Sequence, residues 1–379
     1  MATKVKDKEY EEYLKANKCR IKKKEIASPK GNEWFNLRPV LGCANWAIFF
    51  ILLGGREVGK SYSVTNFFVD QFVNKGIPFT WIRLTETQIR KLLANNAEKL
   101  IDPDLRRKYK LDLVTNGNNV YQVTKRSEPD KNGKTKVLEK KLMARVLALS
   151  TFYTDKGSIF DKDFLNDLTM RYNIAIDEFE REKGEKKTFD ILYALTNQLE
   201  NLVRSTKTRT KIFFMGNTLE EASDILCGFD FIPEQWGTYK LKKKRAVIQY
   251  IEPSQAYLER RKGTIADILM PTASTFTNKI NTDNSLVCKD RLFKPQYVVK
   301  FTKNQKDWFT VWNNNIVTLR NGEKKSVIAM RPYLDEVFTR ELVENVCLTF
   351  DTRGYQFRNL ITFKKFQSQL ELLKPRANG

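Results

Sequence analysis

Histidine is absent from all 379 residues. That one absence removes imidazole acid–base catalysis, serine–histidine triads and most zinc sites. Cysteine is sparse: Cys19, Cys43, Cys227, Cys288 and Cys347 are scattered, odd in number, and form no C-x-x-C pair. Such spacing reads as reduced thiols of a cytosolic protein, not as a disulfide frame. Long apolar runs are missing too. The longest, Trp46 to Leu53, has the length of a buried strand and falls far short of the about 20 residues that cross a bilayer. No membrane partner is therefore expected. The start, Met1 to Tyr10, is charged where a secretory leader would be apolar. Chemistry must run on carboxylates, lysines, arginines and an ion held by oxygens. Acids are also in deficit, with 67 Lys and Arg against 45 Asp and Glu, a net charge of +22. That imbalance favours a polyanion: nucleic acid, or less often an acidic membrane surface. The length suggests two or three domains, and 41% hydrophobic residues suffice for a sizeable core.

One stretch organises the rest. Ile48 to Leu53 is apolar, and Gly54-Gly55-Arg56-Glu57-Val58-Gly59-Lys60-Ser61 then fits G-x-x-x-x-G-K-[ST], with Tyr62 following. Gly54 and Gly59 permit backbone angles that other residues resist. The loop N–H groups of Gly54, Gly55, Arg56, Glu57, Val58 and Gly59 then cradle phosphate oxygens. Lys60 reaches the β- and γ-phosphates, Ser61 holds Mg²⁺, and the helix starting there adds its positive end. No N-K-x-D guanine motif is present, so the nucleotide is read as ATP.

The chain divides into four parts. Residues 1–32 form a charged arm with a basic core, Arg20 to Lys24. Residues 33–228 alternate strands and helices, an α/β pattern that predicts a mostly parallel sheet covered on both faces. Its strands include Pro78–Arg83, Val146–Leu149, Arg171–Glu178 and Lys211–Thr218. A polar hairpin is expected over 115–141, with turn signals at Asn116-Gly117 and Asn132-Gly133. Residues 229–272 read as a linker carrying the basic cluster Lys240 to Arg245. Residues 273–379 read as a small β-rich domain in which Tyr297–Phe301 and Trp308–Trp312 are neighbouring strands. Lys300, Lys303, Lys306, Lys324, Lys325, Arg331, Lys364 and Lys365, interleaved with Trp308 and Trp312, suit sequence-independent contact with phosphates. The acids there, Asp290, Asp307, Asp335, Glu336 and Asp351, read either as scattered surface charges, the favoured reading, or as a two-metal nuclease.

Ligands of parallel sheets bind at the carboxyl ends of strands. The phosphate loop, the pair Asp177-Glu178 and Asn217 all fall at such ends. In Ile174-Ala175-Ile176-Asp177-Glu178, Asp177 is placed to hold Mg²⁺ and Glu178 to polarise the attacking water. Lys60 and Asp177 lie far enough apart to admit an extra strand, which points to the additional-strand (ASCE) class of P-loop ATPases. Asn217 is a candidate contact to the water or γ-phosphate. Arg56, within the loop, and Arg204, ending a helix, are alternative sources of positive charge for the transition state.

These motifs resemble those of the double-stranded DNA packaging ATPases of phi29-like tailed bacteriophages. The resemblance rests on Gly54 to Tyr62, Phe79 to Arg83, Ser150 to Lys156, Ile176 to Lys183 and Phe214 to Thr218, in the family's order. It implies a homomeric ring, of five subunits, at the portal vertex of an empty procapsid in the host cytoplasm. A structural RNA is among the partners it brings. It further implies a C-terminal domain with a nuclease-like fold that does not cut. Arg204 matches the family's trans-acting arginine, and Lys156 a lysine proposed to act across the subunit interface. Leu84-Thr85-Glu86 departs from the family, which is more basic there. The alternatives are a helicase or recombinase without a capsid, a terminase-like enzyme that also cuts DNA, and a nucleic-acid-binding assembly protein with a vestigial nucleotide site.

Overall fold

The computed structural model describes residues 18–19, 33–131, 133–151, 172–179, 191–203, 210–217, 223–233, 235–269, 286–299, 307–321 and 340–377. The chain separates into two compact units. One takes Asn17–Thr218 and Pro233–Lys279; the other gathers Leu219–Ile232 and Ile280–Gly379.

The first unit contains β1 (Lys18–Cys19), α1 (Arg38–Cys43), β2 (Phe49–Leu53), α2 (Lys60–Lys75), β3 (Phe79–Arg83), α3 (Glu86–Ala97) and α4 (Pro103–Tyr109). These are followed by β4 (Leu113–Asn116), β5 (Asn119–Arg126), β6 (Val137–Ala148), β7 (Tyr172–Asp177), α5 (Ile191–Val203) and β8 (Thr210–Gly216). Helix α6 (Asp224–Gly228) belongs to the second unit, and the chain then returns for β9 (Gly237–Leu241), β10 (Ala246–Tyr250), α7 (Gln255–Arg261) and α8 (Ile265–Leu269). The ten strands form one sheet in the order β1-β9-β10-β2-β8-β7-β3-β6-β5-β4. From β10 to β6 every pairing is parallel; the outer pairings are antiparallel. The fold is thus mixed α/β with a large, mostly parallel sheet.

Burial explains the strands. β2, β3, β7 and β8 are buried nearly throughout because both sheet faces are covered. Helix α2 lays Val64, Phe68 and Phe72, spaced four apart, on the sheet. The Phe68 ring packs within 5.0 Å of Phe79 and 5.3 Å of Phe213, and Phe213 stacks on Phe50 at 5.0 Å. Gly76 ends α2 in the left-handed conformation, its N–H returned to Gln71 and Phe72 carbonyls. Helix α3 opens on a reciprocal cap between Thr85 and Gln88.

Three sequence expectations change. Residues 229–272 are not a linker: β9 and β10 extend the sheet, with β10 parallel to β2 from Ala246↔Phe49 to Tyr250↔Leu53. The basic cluster is the turn between these two strands, with Lys242, Lys243 and Lys244 exposed. A strand of five residues beside a lysine run leaves too little periodicity to read. The hairpin's second arm and Val146–Leu149 are one strand, β6, twelve residues long through Ala148. Within the arm, Lys18 and Cys19 pair with Tyr239 and Thr238 as an edge strand; the rest of 1–32 lies outside the described residues.

The second unit holds a four-stranded sheet of β11 (Pro295–Val299), β12 (Asp307–Trp312), β13 (Ile316–Asn321) and β14 (Gln356–Phe357), with α9 (Arg340–Asp351) and α10 (Leu360–Ala377). β11 and β12 pair antiparallel, Val298 opposite Thr310, as neighbouring strands. Phe309, Val311, Val317, Val346, Phe357 and Phe366 form its core. Lys364 and Lys365 form ion pairs with Asp224 and Asp230 at 3.5 and 3.2 Å. They therefore hold α6 against α10 and are not the solvated phosphate contacts the sequence suggested. Lys300, Lys303, Lys306, Lys324, Lys325, Arg331, Asp335 and Glu336 lie outside the described residues. Among those described, no helix is long and apolar enough to cross a membrane.

Gly216 ends β8 where no side chain fits. A Cβ there stands 2.7 Å from Phe179 Cζ, and that fully buried ring is itself packed edge-on to Phe214 at 5.8 Å. Gly216→Ala should therefore destabilise the protein by about 1–3 kcal/mol, as overpacked cores do. A urea midpoint equal to the parent's would refute this packing argument.

Candidate functional site

The loop between β2 and α2 closes over its own lysine. Lys60, 7% exposed, donates from Nζ to the Gly54 carbonyl at 2.8 Å and the Gly55 carbonyl at 2.7 Å. Gly59 stands at φ 93, and an added Cβ would meet the Trp34 side chain at 3.3 Å. Glycine is required there on both counts. Glu57 is also left-handed, at φ 61.

The loop is held from outside by segments distant in sequence. The Phe35 N–H donates to the Val58 carbonyl at 2.8 Å, and Ser63 Oγ donates to the Phe35 carbonyl at 2.5 Å. From α7, the Tyr257 hydroxyl donates to the Arg56 carbonyl at 2.8 Å. Arg260 and Arg261 lie 3.4 and 3.5 Å from the Glu57 carboxylate. The Arg260 guanidinium also covers the Trp34 ring at 4.4 Å and pairs with Glu33. Part of the supposed linker thus clamps the phosphate loop.

Parallel register delivers the acids to the same edge. Leu53 pairs with Gly216, and Asp177 with Met215, so the ends of β2, β8 and β7 lie side by side. Asp177 is buried, and Ser61 Oγ donates to its Oδ1 at 3.3 Å. Glu178 turns out of the strand at φ 51, is exposed, and donates its N–H to the Met215 carbonyl at 2.9 Å. Arg83, ending β3, binds Asp177 Oδ2 through Nη2 at 2.6 Å and the Glu178 carboxylate through Nη1. Sequence reasoning did not assign Arg83, although it closes an apolar strand at the same edge; that was the available signal. Trp34, Tyr257, Arg260 and Arg261 carried no such signal.

The structure brings together Lys60, Ser61, Asp177 and Glu178. Asn217 is half-buried directly after β8, whose Gly216 carbonyl accepts from the Gly54 N–H at 3.3 Å. Arg56 is exposed on the loop, and Tyr62 is half-buried in the first turn of α2. Lys156 and Arg204 lie outside the described residues.

Burial sets the charges. It raises the Asp177 pKa, an effect that Arg83 opposes most strongly, with Lys60 and Ser61 also opposing it. It lowers that of Lys60 from 10.5 to about 8, although Asp177 and Glu178 pull the other way. Lys60 is thus a desolvated cation that phosphate oxygens would satisfy better than two neutral carbonyls.

Below about pH 8 both folded and unfolded chains keep the Lys60 proton, and folding bears the full cost of burying it. Between there and 10.5 only the folded chain has lost it, so that cost fades as pH rises. At pH 7, Lys60→Met should therefore gain stability from the lost buried ammonium, offset in part by the partner it takes from Asp177. The gain should shrink as denaturant titrations move from pH 8 toward pH 10.5. A gap between variant and parent that ignores pH would sink the argument.

No family model matches the sequence, and no curated protein matches it. Solved structures do. The Phi-28 gp11 DNA packaging motor aligns with a TM-score of 0.58 at 15% identity, covering 90% of this chain and 98% of that one. The bacteriophage Phi-29 viral genome packaging motor assembly gives 0.56 at 17% identity, covering 89% and 99%. Over nearly its whole length, this chain has the fold of those phage DNA-packaging motor proteins.

Proposed function

We propose that this chain is an ATPase motor that drives double-stranded viral DNA into an empty procapsid. The observation that carries the reading is the convergence of Lys60, Ser61, Asp177 and Glu178 at one sheet edge, in a chain with that fold. β8 stands between β2 and β7, an arrangement that supports the additional-strand class of P-loop ATPases. The reading includes a homomeric ring of five at the portal, in the host cytoplasm, with a structural RNA among its partners. It also includes a nuclease-like second unit that binds DNA without cutting it.

In this reading the loop N–H groups take the phosphate oxygens, and Lys60 trades its two carbonyls for the β- and γ-phosphates. Tyr62 lies beside the bound nucleotide. Ser61 Oγ and Asp177 Oδ1, 3.3 Å apart, are hard oxygen donors that fit Mg²⁺. That ion would neutralise charge on the phosphates. Glu178, exposed and beyond the strand end, accepts a proton from the attacking water. Arg83 positions both acids. Asn217 meets the water or γ-phosphate. Arg204 supplies charge to a neighbour's site, with Lys156 at the same interface; Arg56 is the rival within its own subunit.

ATP hydrolysis should require Mg²⁺ and rise with double-stranded DNA. Lys60→Ala should lose turnover through weaker phosphate contact. Glu178→Gln should bind ATP yet hydrolyse it about 10²–10⁴-fold more slowly. Parental turnover by Glu178→Gln would remove it as the base.

The arginine is tested by mixing inactive variants. Arg204→Ala keeps its own ATP site, and Glu178→Gln keeps its arginine. A trans arginine, worth ~10³–10⁵ in rate, predicts partial recovery in rings containing both. Arg56→Ala in place of Arg204→Ala should give none if Arg56 acts in cis. No recovery in verified mixed rings removes Arg204 from the role.

A further inference from the structure

We propose that the ribbon of β5 and the first half of β6 grips the phosphates of duplex DNA, which rests on the DNA-moving reading above. Strand β6 pairs with β3 only over Ala144–Ala148, beginning opposite Phe79. Its earlier half, with β5, runs past the start of β3, at the sheet edge opposite the phosphate loop. Apart from partly covered Ser127, the described residues from 124 to 141 are exposed.

Seven cations lie between Lys125 and Lys141, against three acids. Arg126 is taken by Asp112 through bonds of 2.6 and 2.7 Å, and Lys125 lies 3.8 Å from Glu139. Lys131, Lys134, Lys136, Lys140 and Lys141 have no carboxylate within ion-pair reach among the described residues. An ordinary solvated surface interleaves its signs. Here Lys131, Lys134 and Lys136 crowd the connection between β5 and β6, and Lys140 and Lys141 the start of β6; of the acids in that connection, Glu128 and Asp130, the latter accepts from the Lys134 N–H at 2.9 Å.

The ribbon is built before any partner arrives. Its end is closed by Ser127 N–H to the Lys136 carbonyl at 2.8 Å and Asp130 N–H to the Lys134 carbonyl at 2.9 Å. The Lys140 ammonium sits 4.3 Å over the Tyr121 ring. Register shifts along β5 and β6 add twist. A preformed surface loses little entropy on binding. A two-stranded ribbon also matches the width of a duplex major groove, about 12 Å. Lysines contacting phosphates there would read no sequence, as a motor on any DNA requires.

The test uses the full chain and a fluorescein-labelled DNA duplex, followed by anisotropy from 50 to 200 mM salt, a range over which phosphate contacts are roughly log-linear. Lys134→Glu/Lys136→Glu/Lys140→Glu should bind about tenfold or more weakly at low salt. Its log-affinity slope against log salt should flatten by roughly one unit per lysine. The corresponding Gln variant should fall between. If the folded charge-reversed chain keeps parental affinity and slope, the ribbon proposal fails while the motor reading stands. If the parent itself binds no duplex DNA, both fail. Should the reversed chain not fold, a photocrosslinker at Thr135 in the otherwise native chain decides. Crosslinking to the DNA duplex supports the proposal. No crosslink, or crosslinking to an RNA duplex in preference, overturns it.

Discussion

A lysine ammonium buried against two backbone carbonyls is the constraint on which the rest of the sheet edge depends. Water has been removed from Lys60, and its own loop supplies only neutral oxygens. Such a charge is tolerable only because Asp177 and Glu178 stand close enough to favour it. Asp177 is buried too, and needs Lys60, Ser61 and Arg83 in return. Among these groups Lys60 and Arg83 set two positive charges against the two negative charges of Asp177 and Glu178.

Keeping these groups together requires a stiff loop. Left-handed Glu57 is an unfavourable conformation that persists only when surroundings hold it. Here the holders are Trp34 and Phe35 before the loop, and Tyr257, Arg260 and Arg261 two hundred residues later. The loop is therefore a meeting point of three stretches, and its geometry responds to any movement of α7.

The sheet also sets where the chain leaves its first unit. β8 lies between the phosphate-loop strand and the acid-bearing strand, so its end sits at the centre of the site. The chain passes from there into α6, which belongs to the second unit and is tied to α10 through Lys364 and Lys365.

Much of this was legible in the sequence, for reasons that differ by element. Gly54 to Ser61 declares itself because a phosphate cradle demands particular residues at fixed spacing, all within one short loop. The central strands read clearly because two-faced burial leaves unbroken apolar runs, as in Phe49–Leu53 and Ile212–Met215. Alternation of strand and helix then implied the parallel sheet. Tertiary structure alone decided the rest. Strand order placed Arg83 between the acids, a fact that no spacing along the chain encodes. Strands β9 and β10 were hidden by the lysines of their turn, and their sheet register made a supposed linker part of the core. Arg260 over Trp34 and the ribbon's overhang beyond β3 likewise depend on which distant segments become neighbours. Local pattern records what each segment must bury; only the folded register determines which charges meet.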